Sequence, residues 1–245
     1  MKIKVWFFCL YLLLPSPSGF LFAQALSDSA FVVMISHHMN DLYFGELKSE
    51  APIYNGKMYH PVSNLDEGGH ALFLSNQYTK GTLVYNANVY HDVNLMYDLV
   101  RDELVLLNFD QVGGIVVWPD CVDAFSLHQH TFIHIGRDSV AKKGITPGYY
   151  DLLYKGKTSL LAKRIKTITE VPDQYKVNRT VSEENRYYLL KDSVYTLIKS
   201  RKDLLRLLGP TRAENLRYIK KEHINFKKNK ENAMVRIVSY NDSIL

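Results

Sequence analysis

Cysteine is almost missing from this chain. Its 245 residues hold two, Cys9 and Cys121, so there is no C-x-x-C pair for a redox or zinc module and no disulfide framework. A chain of this length must then be held together by an apolar core. Long apolar runs are missing too. The longest, Val5 to Leu14, covers ten residues, against roughly 20 for a spanning helix. There is no G-x-S-x-G elbow and no G-x-x-x-x-G-K-[ST] loop, which removes two widespread hydrolase and nucleotide-binding signatures. Acids are scarce in one segment: Lys199 to Lys230 has eleven Lys or Arg against Asp203, Glu214 and Glu222.

What is present begins with an address. Lys2 and Lys4 precede the apolar run, Pro15 to Ser18 loosen the chain, and Ala23-Gln24-Ala25 offers small residues for cleavage. This layout predicts a secretory signal peptide over residues 1–25. Its removal takes away two lysines and Cys9, so the formal charge falls from +5 to +3. Cys121 is then alone, and an internal disulfide is impossible even in an oxidising compartment. Cys9 lies inside the apolar run, which argues against a lipid-modified N-terminal cysteine. The expected location is the periplasm, the periphery of the outer membrane or the medium, with no transmembrane helix after cleavage.

The middle of the chain has the grammar of strands. YNGKMYHPV (Tyr54 to Val62) and YNANVYHDV (Tyr85 to Val93) share one pattern. Asn55-Gly56 is the stronger hairpin signal, because a two-residue type I′ turn needs positive φ twice, and Asn86-Ala87-Asn88 is the weaker one. Further turns are expected at Lys155-Gly156-Lys157 and Lys191-Asp192-Ser193. Tyr and β-branched residues flank them, as suits a half-buried pleated surface. The prediction is a mainly β fold: antiparallel hairpins forming a sheet, sandwich or open barrel, with a short C-terminal helical segment. Tyrosines 85, 90, 97, 149, 150, 154, 187 and 188 either line a groove in it or fill its core.

After Ser200 the period changes. Leu204, Leu205, Leu207 and Leu208 precede Gly209-Pro210, Thr211 and Glu214 read as a capping box, and Ala233, Met234, Ile237, Val238 and Tyr240 recur at helical spacing. Four segments follow: 1–25 as signal peptide, 26–52 as an N-terminal segment, 53–199 as the β-rich domain, and 200–245 as basic helices packed on it. Within 26–52, SDSAFVVMISHHMNDLYF reads as a helix capped by Ser27 or Asp28, or as a strand through Phe31-Val32-Val33.

GTLVYNANVYHDVNLMYDLVRDELVL, GYYDLLYKGKTSLLAKR, YYLLKDS and the basic tail together resemble a family of exported bacterial cell-envelope proteins rich in Tyr-containing hairpins. The resemblance covers roughly residues 54–240 and implies the β architecture and an envelope address. No activity is assigned to that family, so it supplies no catalytic residues.

Chemistry, if any, would sit at FSLHQHTFIHIG (Phe125 to Gly136), with His128, His130 and His134. On one continuous strand the three would share a face, with His128 and His130 about 7 Å apart. That arrangement would suit a metal-dependent enzyme with zinc or another divalent transition metal. A cupin comparison fails: Val122 stands where Gly is wanted, His134 and Ile135 where Glu is wanted, and a second motif is missing. The favoured alternative is two strands, DAFSL and TFIHI, with a turn at His128-Gln129-His130. Phe125, Leu127, Phe132 or Ile133, and Ile135 then face inward.

Charge points elsewhere. The basic segment carries +8 and the rest of the exported chain −5, an asymmetry that suggests an anionic partner. Arg217, Lys220, Lys221, Lys227 and Lys228 are the expected contacts. Leu204, Leu205, Leu208, Leu216 and Ile219 are expected to turn inward. Anionic lipid, polysaccharide or an envelope protein fits an exported chain, whereas nucleic acid does not. The expectation is a non-catalytic binding or scaffolding module that uses no cofactor.

Overall fold

Two-residue turns organise the sheet. Asn86-Ala87, His128-Gln129 and Asp192-Ser193 each place two successive residues at positive φ. That is type I′ geometry, whose twist matches the strands it joins. The first links β2 (Thr79–Tyr85) to β3 (Asn88–Asp98), the second β6 (Val122–Leu127) to β7 (His130–Ile135), and the third β10 (Val177–Lys191) to β11 (Val194–Ile198). The remaining strands are β1 (Lys57–Met58), β4 (Glu103–Leu107), β5 (Gly114–Val116), β8 (Gly148–Lys155) and β9 (Ser159–Pro172). This computed structural model describes residues 42–43, 45–65, 69–137, 144–172 and 177–245. The expected signal peptide and most of the 26–52 segment lie outside them.

Among the described residues, all eleven strands join one sheet in the order β1-β5-β4-β3-β2-β6-β7-β8-β9-β10-β11. Every pairing is antiparallel. The chain is therefore mainly β and antiparallel, as expected, and the sheet is open. It curls strongly nonetheless. Tyr97 on β3 and Tyr149 on β8 stand four places apart in strand order, yet their rings are 5.7 Å apart. The Lys166 amide on β9 also donates to Leu99 O at 3.2 Å, beside the β3–β4 turn.

The concave side holds the main core: Tyr97, Phe125, Phe132 and Tyr149 with Leu83, Leu95 and Leu104. Phe125 and Phe132 stack at 4.8 Å, one contributed by each arm of the His128-Gln129 hairpin. Leu127 and Ile135 are buried as well, while Ile133 is half-buried. Tyr85, Tyr90, Tyr97, Tyr149, Tyr150, Tyr187 and Tyr188 are buried and Tyr154 half-buried. Seven of these tyrosines are thus core and Tyr154 packs against it, although Tyr90 also lines a surface cleft.

Asn55-Gly56 does not make the expected hairpin. Asn55 sits at φ −81, and β1 pairs with the distant β5. Gly56 is needed for close approach instead: a Cβ there would strike Val116 O and lie 2.6 Å from Ile115 Cγ2.

Three helices follow the sheet: α1 (Arg201–Leu207), α2 (Arg212–Lys221) and α3 (Lys230–Ile244). They bury Leu204, Leu205, Leu208, Ile219, Met234 and Ile237 against Leu160, Ala162, Tyr187, Leu189 and Ile198 of β9–β11. Ser200 caps α1 by accepting the Asp203 amide, and Asn229 caps α3 by accepting that of Asn232. The Thr211–Glu214 capping box is not formed. Thr211 Oγ1 donates instead to Asn241 Oδ1 on α3, which also accepts Asn215 Nδ2 at 2.9 Å. This has a consequence for α2. Asn215 and Ile219 form its buried stripe, so Leu216 lies outside with Lys220, 41% exposed, contrary to expectation.

Candidate functional site

Three strands and a helix bring charged side chains together beneath an open cleft of about 510 Å³. On β8, Asp151 stands opposite Phe132 of β7 and Ala162 of β9. His130 and Arg164 lie two residues along those strands and so share its face. Arg164 Nε and Nη2 both donate to Asp151 Oδ2, at 3.0 and 2.5 Å. Its Nη1 and Nη2 also hold Glu231 Oε2 and Oε1 at 2.8 and 2.7 Å. His130 Nδ1 lies 2.8 Å from Asp151 Oδ2, and Tyr187 OH donates to Glu231 Oε2 at 3.3 Å.

Burial disfavours the charge on Arg164, but hydrogen bonds and Coulomb attraction from Glu231 and Asp151 outweigh it and raise its pKa further. Burial likewise works to raise Glu231, and Arg164 overrides it, holding the carboxyl below its ordinary range. Glu231 occupies the first turn of α3, where the helix dipole also favours negative charge. The group is a clamp: Arg164 ties a buried sheet carboxylate to the start of the last helix.

A second, partly buried cluster sits at the β3–β4 turn. Lys163 Nζ binds Asp102 Oδ2 at 2.5 Å and Tyr149 O at 3.1 Å, and Tyr97 OH donates to Asp102 Oδ1. Burial lowers the Lys163 pKa, with Asp102 opposing the shift. Sequence reasoning missed both clusters. Their trace was charge inside apolar strands: Asp151 within YYDLL, and Lys163-Arg164 within LLAKRIK.

The three histidines do not lie along one strand. His128, at φ +50, begins the turn, with Nε2 3.4 Å from Thr79 Oγ1. His130 opens β7 and faces Asp151. His134 packs its ring against Tyr149 at 5.1 Å, and burial lowers its pKa. Among the described residues, no group of three or more His, Cys, Asp or Glu side chains is placed to hold a metal ion. Cys121 is half-buried against the main core.

The basic segment presents a different surface. Arg217, Lys220 and Lys221 on α2, and Lys227 and Lys228 in the following loop, are all exposed. Asn225 Oδ1 shapes that loop by accepting the amides of Lys227 and Lys228 at 3.0 and 3.1 Å. Two of the three local acids pair with other cations: Asp203 with Arg206 and Glu222 with Arg236. Among the described residues, none of the five cations has an ion-pair partner. No described helix is long and apolar enough to cross a membrane. No protein family, curated protein or solved structure matches the chain.

Proposed function

We propose that this is an exported, non-catalytic binding or scaffolding module of the bacterial cell envelope, docked through its basic helical end on an anionic lipid surface. The observation that carries the reading is the set of five exposed cations without acid partners among the described residues, on a segment whose other side is anchored by Leu204, Leu205, Leu208 and Ile219. The leader-like N-terminus and the resemblance to exported envelope proteins support the address. The Asp151–Arg164–Glu231 clamp supports a rigid helical platform, because its charges are committed to one another.

Each Lys or Arg close to an anionic membrane contributes about 1 kcal/mol at most. Several together give weak, reversible docking that fades with salt. The test is co-sedimentation with phosphatidylglycerol vesicles. Binding is expected at about 0.01 M salt, where the Debye length is about 30 Å, and release at about 0.15 M or moderately above, where it is about 8 Å. Substituting Arg217, Lys220 and Lys221 together by Gln should weaken binding with the circular dichroism unchanged. Absence of binding at low salt, or indifference to the triple substitution, would refute the docking. Binding to anionic polysaccharide but not to vesicles would replace lipid as the partner.

A further inference from the structure

The hairpin of β9 and β10 extends beyond the strands that flank it. The two pair without a register shift from Ser159↔Leu190 to Pro172↔Val177. β11 covers β10 only from Tyr187 to Lys191. From Val177 to Arg186, β10 therefore has β9 on one side and, among the described residues, no strand on the other.

The turn tells which backbone groups face that open side. Lys191 and Val194 close a two-residue hairpin, so they form a hydrogen-bonded pair, and alternate residues back along β10 point the same way. The odd-numbered residues aim their N–H and C=O at β11. Because the β9 pairing never shifts, Val177, Arg179, Val181, Glu183 and Asn185 aim theirs at the open edge. Such an edge is a template for another strand.

We propose that this edge pairs antiparallel with the same edge of a second copy of the chain, about a two-fold axis at Val181, joining the two sheets. Two independent features select that register. The first is length. An axis at Val181 sets Val177 opposite Asn185 of the second copy and so uses the whole open stretch, stopping where β11 begins. The second is charge. The same axis sets Arg179 opposite Glu183 of the second copy, twice over. Axes at Arg179 or Glu183 would oppose like charges, and axes at Thr180 or Ser182 would set both residues against neutral neighbours. Complementarity contained within one edge favours a second copy over an unrelated strand.

Both side chains are placed for this. Glu183 is exposed and, among the described residues, accepts only a long bond from Asn185 Nδ2, 3.4 Å. Arg179 binds its own Glu170 through Nε at 2.8 Å and Ser63 O through Nη1 at 3.3 Å, which among the described residues leaves Nη2.

Sedimentation velocity on the purified chain, from about 1 µM to about 1 mM, spans the affinities expected of a short strand pair. The native chain should dimerise reversibly. Val181→Pro deletes an N–H that points outward, so it should abolish the dimer while leaving the β9 ladder and the circular dichroism intact. Arg179→Glu alone and Glu183→Arg alone should each weaken the dimer by about tenfold or more, since two opposite-charge pairs become like-charge pairs. An equimolar mixture of those two variants should regain it, because each reversed charge then meets its opposite. A native chain that stays monomeric throughout the range would overturn the proposal. So would a dimer indifferent to Val181→Pro, or charge variants whose mixture does no better than either alone.

Discussion

Replacing Arg164 by Met removes the clamp's cation while keeping an unbranched stem of similar length. Among the described residues, Asp151, 1% exposed, would then retain only His130 as a side-chain partner. Removing one member of a buried ion pair costs about 3–5 kcal/mol, because the other charge is left uncompensated. That is a large part of the roughly 5–15 kcal/mol that stabilises an ordinary domain. Glu231 contributes less to the loss, since 29% of its side chain is exposed and water can replace the guanidinium. Urea unfolding followed by circular dichroism measures the cost, with Asp151→Asn and the Asp151→Asn/Arg164→Met double variant beside it. The double variant should be less unstable than Arg164→Met alone, because the orphaned charge has gone. The coupling should fall within the roughly 0.5–3 kcal/mol seen for residues in contact. Arg164→Lys should not restore stability, for an ammonium cannot fork to two carboxylates. There is also an acid signature. Glu231 has a depressed folded pKa, so its contribution is fully present above 4.5, its ordinary value, and is lost as pH falls through the lower folded one. Arg164→Met should abolish that component. A cost under about 1 kcal/mol, or a double variant as unstable as the summed singles, would refute the clamp.

Gly148 stands at φ +130, and a Cβ there would collide with Asp102 Oδ2 and lie 2.5 Å from Lys163 Nζ. Gly148→Ala should therefore cost at least about 2 kcal/mol in urea unfolding, through backbone strain and a broken charged hydrogen bond; unchanged stability would contradict that contact. Burial holds His70 and His134 below their ordinary 6.5. The unfolded chain thus takes up more protons near that pH, so the stability present above 6.5 declines as pH falls through it. His134→Gln combined with His70→Gln should flatten the dependence of stability on pH between about 7 and 5. A slope equal to the native one would exclude both residues as its source.

The stronger hairpin signal failed where the weaker one held, and the difference is physical. Asn55-Gly56 satisfies the torsional demand of a hairpin, but its flanking residues pair with a strand nearly sixty positions later, and the glycine serves close approach. Asn86-Ala87 and His128-Gln129 lack glycine and still adopt positive φ at both positions. Their strands are long and apolar on the inner face, so packing outweighs the local cost of a left-handed alanine or glutamine. Turn chemistry is thus legible where tertiary packing agrees with it. Helix ends show the same competition, since Thr211 abandons its cap for a buried asparagine.

The charged clusters were harder to read for a related reason. Asp151, Arg164 and Glu231 lie 13 and 67 positions apart in sequence, and only the strand register and the docking of α3 bring them together. Local spacing has no access to that register. A carboxylate between tyrosine and leucine in a strand does, however, announce that a cation must cross the sheet to meet it, because a lone buried charge is untenable. The basic helical face needed no such knowledge. Its cations outnumber every acid within reach along the chain, so their exposure follows from arithmetic before any fold is known. The open edge of β10 lies between these cases: its charge pattern, Arg179-Thr180-Val181-Ser182-Glu183, is visible in the sequence, but that pattern becomes self-complementary only once β11 is seen to stop at Tyr187.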